Sequence, residues 1–135
     1  MKLVVDTNVL FTYFWESSLL RTVLKTEKLV LLAPEYALVE LNKHKELITK
    51  KTGITSRKFR VMLAELAETV EFVPLEEYSG FLKKAIKITP DEDDVDFFAL
   101  ALKEECALWT NDKGLEQQNF VLVYSTKDIV GSTLM

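Results

Sequence analysis

The chain is poor in the residues that most often build a catalytic site unaided. Its 135 residues include one cysteine, Cys106, and one histidine, His44, so an internal disulfide is excluded and a zinc site of several thiolates or imidazoles cannot form. A cysteine nucleophile needs an imidazole base, and His44 belongs to a distant segment. Cys106 therefore reads as a small buried apolar residue preceding a strand. Glycine and proline are scarce, four and three, while hydrophobic residues reach 48%; this excludes collagenous, low-complexity and disordered classes. The opening run MKLVVDTNVLFTYFWESS is interrupted by Asp6, so neither an export signal nor a membrane span is expected and a cytoplasmic location is. At this length residues 1–135 are expected to form a single domain.

Positive charge is also in short supply, with 17 Lys and Arg against 21 Asp and Glu and a net charge of −4. Binding a polyanion requires locally clustered cations, so the average disfavours a nucleic-acid partner. One stretch reverses the average. From Asn42 to Arg60 lie Lys43, Lys45, Lys50, Lys51, Arg57, Lys58 and Arg60 against the single acid Glu46, which leaves the remainder strongly acidic. Taken alone, such a run reads as the solvated face of a helix pair. Its neighbours must decide.

Hydropathy patterning supplies the frame. Lys2 to Asp6 reads as a buried strand feeding a helix capped by Thr7 or Asn8, and a second short helix runs from Ser17 or Ser18 through Lys25. Leu29 to Ala33 is apolar at every position, the mark of a parallel strand covered on both faces. With Pro34 in its first turn, a helix is expected to continue until Gly53, and Thr55 or Ser56 starts another through about Thr69. Val70 to Val73 is a third strand, Leu75 to Ile88 a helix, Asp91 to Glu105 an acid-headed helix, Ala107 to Thr110 a strand, and Phe120 to Tyr124 the last one. This alternation predicts an α/β fold in three layers, an α/β/α sandwich around a central, mostly parallel sheet. Ligands of such sheets bind outside the carboxyl ends of the strands.

Four acids are expected at that edge. Asp6 ends the first strand, and an acid directly after an apolar run is costly unless paired or metal-bound. Asp112 follows the fourth strand, where it also suits a turn. Glu40 lies within ALVEL on the helix after strand two, with Lys43 and His44 as possible surface partners. In Asp91, Glu92, Asp93, Asp94 and Asp96, helical stepping aligns Asp91 and Asp94 with Val95, Phe98 and Leu102, and aligns Glu92 and Asp96 with Ala99 and Lys103 on an outer face. Capping and the helix dipole account for one or two of these acids. Five in six positions repel one another unless a cation relieves them.

Several carboxylates cannot share a small site and all stay ionised without a counter-charge. Oxygen ligands without His or Cys select Mg²⁺ or Mn²⁺, a chemistry suited to phosphodiester hydrolysis. On charge crowding alone, Asp6→Asn and Asp94→Asn should leave the fold intact or firmer. The basic stretch beginning three residues after Glu40 then reads as a surface for the substrate backbone.

The ordered set VVDTNVL, Glu40, DEDDVDFFALAL and LWTNDKGL resembles the PIN-domain ribonucleases, and is similar to the VapC-type toxins of toxin–antitoxin systems, over essentially the whole chain. The resemblance implies Mg²⁺- or Mn²⁺-dependent cleavage of RNA at an acidic site matching Asp6, Glu40, Asp94 and Asp112. Asp91 is a further candidate ligand, and Asn8 and Thr110 stand where the family places polar support. Lys43, Lys50, Lys51, Arg57 and Lys58 are candidate RNA contacts. An antitoxin protein is the implied partner, and the apolar segment LFTYFWESSLL suggests a homodimer. Trp15, Trp109, Phe97 and Phe98 read as core rather than as base-stacking platforms. A haloacid-dehalogenase-like phosphatase also places an Asp after strand one but wants a second Asp where Asn8 stands. The non-enzymatic alternative is a catalytically silent PIN-like module that binds RNA or protein.

Overall fold

The structure is a computed structural model that describes residues 1–24, 26 and 29–133. Five strands form one parallel sheet in the order β3-β2-β1-β4-β5, with β1 Lys2–Val5, β2 Val30–Pro34, β3 Val70–Val73, β4 Ala107–Trp109 and β5 Val123–Tyr124. The first connections run outward from β1 to β2 and β3, and the chain then crosses back to lay β4 on the other side of β1. The reversal lies between β1 and β4, where the backbone at the carboxyl ends parts after a last bond from Asp6 N to Trp109 O, 2.9 Å.

The helices are α1 Thr7–Phe11, α2 Leu19–Leu24, α3 Tyr36–Lys43, α4 Lys45–Thr52, α5 Ser56–Thr69, α6 Leu75–Tyr78, α7 Leu82–Ile88, α8 Val95–Glu104 and α9 Thr126–Thr133. The expected three-layer α/β/α sandwich is the architecture found. The expected end of α2 at Lys25 lies outside the described residues. Leu3, Val4 and Val5 of β1 are fully buried and pack with Leu31, Leu32, Leu108 and Trp109 of the neighbouring strands into one core. Trp109, Phe97 and Phe98 belong to it, as expected. Cys106 is half-buried and free, and burial pushes its thiol up.

Several elements depart from the expected pattern. The helix after β2 is broken at His44, which leaves the α-helical region at φ −99° and ψ 13°, so α3 and α4 are separate. Gly53 ends α4 at φ 76°, a left-handed position where glycine is favoured. Thr55 caps α5 by accepting from Lys58 N at 3.0 Å. The helix expected from Leu75 to Ile88 is interrupted by a 3₁₀ turn at Ser79–Phe81, which contains Gly80. A 3₁₀ turn at Glu92–Asp94 likewise precedes α8. The last strand has shrunk to two residues, and α9 follows where no helix was expected.

The outer face predicted for Asp96 is wrong. Helix α8 has β1, β2 and β4 on one side and α6 and α7 on the other, so Phe97, Phe98, Ala99, Leu100 and Ala101 are all buried. Periodicity cannot assign an outside to a helix covered on both flanks. Asp96 accepts a short hydrogen bond from the buried Tyr78 hydroxyl, whose phenol is held well above its ordinary range by burial and then by Asp96. Tyr78→Phe strips this half-buried carboxylate of its donor. It should destabilise the fold by about 1–2 kcal/mol, measured as a lower urea midpoint at unchanged slope.

Candidate active site

The site begins with a capped helix. Asp6 follows β1, is 6% exposed, and itself caps α1 by accepting from Thr7 N at 2.7 Å. Neither Thr7 nor Asn8 is the cap. Both are freed for other contacts: the Thr7 hydroxyl donates to Glu40 Oε1 at 2.6 Å, and Asn8 Nδ2 donates to Asp6 Oδ2 at 3.2 Å and to Thr110 Oγ1 at 3.1 Å. The Thr110 hydroxyl donates to Asp6 Oδ2 at 2.7 Å and accepts from Asp112 N at 3.1 Å. Asp6, Asn8 and Thr110 are therefore one hydrogen-bonded group spanning the gap between β1 and β4.

Asp112 caps the 3₁₀ turn Lys113–Glu116 by accepting from Gly114 N at 2.9 Å. A Cβ at Gly114 would stand 3.1 Å from that same carboxylate oxygen, so the close turn favours glycine. Asn111 is held from the other side by α9: its Nδ2 donates to Thr126 Oγ1 at 2.9 Å and its Oδ1 accepts from Thr126 N at 2.9 Å. No sequence signal had pointed to Thr126.

Glu40 projects from α3, whose start after β2 is fixed by Glu35 N donating to Val73 O at 2.9 Å. Asp94 is the residue that caps α8 by position, yet its side chain makes no capping bond. Among the described residues its carboxylate has neither a hydrogen bond nor an ion pair. Burial, followed by the charges of Asp6, Asp91, Asp112 and Glu40, pushes it up to about 7. Asp6 is also raised, by burial first, with the bonds from Thr110 and Thr7 opposing. The four acids expected at the strand ends thus lie within each other's fields. Asp91 does not share an inward stripe with Asp94: it is exposed, caps the preceding 3₁₀ turn by accepting from Asp93 N at 3.0 Å, and the turn breaks the α-helical phase on which the stripe relied.

Two residues at this edge were missed. Thr7 carries the bond to Glu40, which the DTN motif could have signalled had Asp6 been read as the cap. Tyr36, 40% exposed, stands one helical turn before Glu40, and its phenol is raised chiefly by Glu40, with Asp93, Asp96 and Asp94 adding.

The donor set matches a hard divalent cation in chemistry: carboxylate oxygens only, and among the described residues no Lys or Arg ion-paired to any of them. As they stand, no three acidic, His or Cys side chains among the described residues are grouped tightly enough to hold an ion. The candidate RNA contacts are spread along the chain: Lys43 closes α3, Lys50 and Lys51 end α4, Arg57 and Lys58 open α5, and all five are exposed. Lys43 shares α3 with Glu40, but because of the break at His44 the other four do not continue that helix.

A PIN domain family profile matches residues 4–121. Among solved structures, a chain of the crystal structure of VapBC2 from Rickettsia felis bound to a DNA fragment from their promoter superposes with a TM-score of 0.65 at 14% identity, covering 93% of this chain and 98% of that one. Comparison with curated proteins returns no match.

The raised Asp94 sets the sign of a pH dependence. In the folded state it keeps its proton up to about pH 7, against 3.8 as the ordinary value, so in metal-free protein the contribution of this group to stability is most favourable below pH 3.8 and declines as pH rises across that interval. Asp94→Asn should flatten the decline and make the protein more stable than wild type at pH 8 in EDTA, followed by urea unfolding. Asp6→Asn should do the reverse. It turns an amide N–H₂ toward groups that now donate to Asp6, costing about 1–2 kcal/mol.

Proposed function

The chain belongs to the PIN domain family, and from that premise we propose that it is a metal-dependent endoribonuclease, hydrolysing RNA phosphodiester bonds at the edge formed by Asp6, Glu40, Asp94 and Asp112. The observation that carries this reading is the charge: Asp6, Glu40 and Asp112, from three other segments, all help to raise the carboxyl of Asp94, and among the described residues no Lys or Arg is ion-paired to any of the four. In this reading Mg²⁺ or Mn²⁺ is held by Asp6, Glu40, Asp94 and Asp112, with Asp91 as an outer contributor; when bound, such an ion polarises the phosphoryl oxygen and lowers the pKa of coordinated water.

The remaining residues bind and position. Asn8 and Thr110 hold Asp6 in one orientation, so that the carboxylate need not reorganise when charge develops beside it. Thr7 does the same for Glu40. Lys43, Lys50, Lys51, Arg57 and Lys58 supply the local positive field that an acidic protein needs to draw in a polyanion.

We assign the protein, within this reading, to the toxin side of a toxin–antitoxin pair, acting in the cytoplasm as a single domain and held by an antitoxin protein. The shared fold with a chain of the VapBC2 complex supports it. The reading also includes a homodimer, supported by the half-exposed Leu19 that opens α2. Light scattering at micromolar concentration should give twice the mass of 15.5 kDa.

RNA cleavage should require Mg²⁺ or Mn²⁺, stop with EDTA and be poorly supported by Ca²⁺, whose looser coordination activates water less well. Asp94→Asn should abolish turnover while RNA still binds; full activity in EDTA rules the mechanism out. Replacing Lys50, Lys51, Arg57 and Lys58 should flatten the salt dependence of binding by about 0.7 in slope for each RNA phosphate that is no longer neutralised, titrated in the Asp94→Asn background.

A further inference from the structure

We propose that the groove between the α1–α2 connection and the α4–α5 pair is a second RNA subsite, where an unpaired base beyond the cleaved bond stacks on Trp15 while Arg21, Lys51 and Lys58 take its phosphates. The inference rests on the nuclease reading for what enters the groove, and on separate residues for how it is held.

The groove encloses about 790 Å³ and includes Tyr13, Trp15, Arg21, Lys51 and Lys58 in its walls. Trp15 packs against the core, as expected, but is only half-buried, whereas Trp109 is fully buried. Helix α1 ends at Phe11 and is followed by a 3₁₀ turn at Thr12–Phe14, after which Trp15 takes an extended backbone at φ −92° and ψ 137°. A chain of contacts along this segment leads from the acids to the groove. Thr7 bonds Glu40 at its upper end, the Phe11 ring stacks on Trp15 at 5.4 Å between centroids, and His44 meets Phe11 edge-on at 6.0 Å. None of Asp6, Glu40, Asp94 and Asp112 is in the groove's walls, so the groove serves RNA at a distance from the scissile position.

The cations are arranged for a polyanion. Arg21 lies over the Tyr13 ring, 5.4 Å from its centroid, with Nε donating to Tyr13 O at 2.6 Å; its remaining N–H donors have no partner among the described residues, and neither Lys51 nor Lys58 is in an ion pair there. Of the acids in the same wall, Glu65 accepts from the Tyr13 hydroxyl at 3.2 Å and Glu16 is exposed. A flat indole beside a cationic rim suits a single strand, which offers both base faces and phosphates. A duplex hides the base faces, and an acidic peptide would use the cations alone.

The test is photo-crosslinking of full-length protein carrying Asp94→Asn with oligoribonucleotides that bear 5-iodouridine at successive positions, read by mass spectrometry. A cross-link to Tyr13 or Trp15, confined to positions on one side of the bond cleaved by wild-type protein, supports the subsite. Trp15→Leu should abolish that cross-link and, combined with Lys51→Gln and Lys58→Gln, weaken binding of long RNA about tenfold; Trp15→Phe, which keeps an aromatic face, should retain both. RNA that is cleaved and bound but never cross-links in the groove overturns the subsite and leaves the nuclease. A groove cross-link without metal-dependent cleavage overturns the nuclease and leaves an RNA-binding groove. If an acidic peptide occupies the groove and RNA does not cross-link there, the surface belongs to a protein partner and the proposal fails.

Discussion

The hydrogen bond from the Thr110 hydroxyl to the Asp6 carboxylate, 2.7 Å long and buried, is the interaction on which the rest of the site depends. It crosses the gap between β1 and β4, where the sheet reverses and the two backbones stop bonding to each other. A carboxylate at the end of a fully buried strand must find donors or lose much of its solvation energy uncompensated. Thr110 meets that demand and accepts in turn from Asp112 N, so one hydroxyl sets both the orientation of the first acid and the path of the loop that carries the last.

Around that bond the acids divide into two kinds. Asp6, Glu40 and Asp112 each accept a hydrogen bond from a neighbouring hydroxyl or backbone N–H, and their geometry is set by the fold. Asp94 has no such partner among the described residues. It heads α8 without capping it and stays half-buried among the other carboxylates, which is why its proton is held to about 7. Hydrogen bonding fixes position while crowding by like charges, felt by Asp6 and Asp94 both, creates a repulsion that a cation would relieve.

The break at His44 takes Lys50, Lys51, Arg57 and Lys58 off the helix that carries Glu40. A single helix from α3 through α4 would have carried the lysines straight on from Glu40; the break lets α4 and α5 fold back, so that Lys51 and Lys58 face the α1–α2 connection across a groove instead of following the acids. Separation preserves both fields. A lysine close to Asp94 would neutralise the charge that sets the acidic edge apart, while a cationic rim some turns away still draws a polyanion toward it.

Much of this is legible in the residues. The bounds Val70–Val73 are those found, the parallel sheet follows from strands apolar at every position, and Asp6 and Asp112 stand at the sheet edge because strand ends are set by where apolar runs stop; Glu40 follows from the helix that starts just after β2, whereas Asp94 rests on an α-helical phase that the 3₁₀ turn at Glu92–Asp94 does not keep. The helix interruptions were not legible at 3₁₀ turns, because local sequence does not reveal which turn tightens. Asp91 was misplaced for that reason, and Asp96 was misplaced because periodicity assumes one wet side and α8 has none. The sequence by itself determined which residue types and which strand ends were available, since hydropathy and chain order are local properties. Only the tertiary structure decided that Asp6 caps α1, that Thr7 reaches Glu40 and Thr110 reaches Asp6, and that Trp15 opens into a groove while Trp109 is sealed, because each is a contact between segments whose distance in space the chain order does not specify.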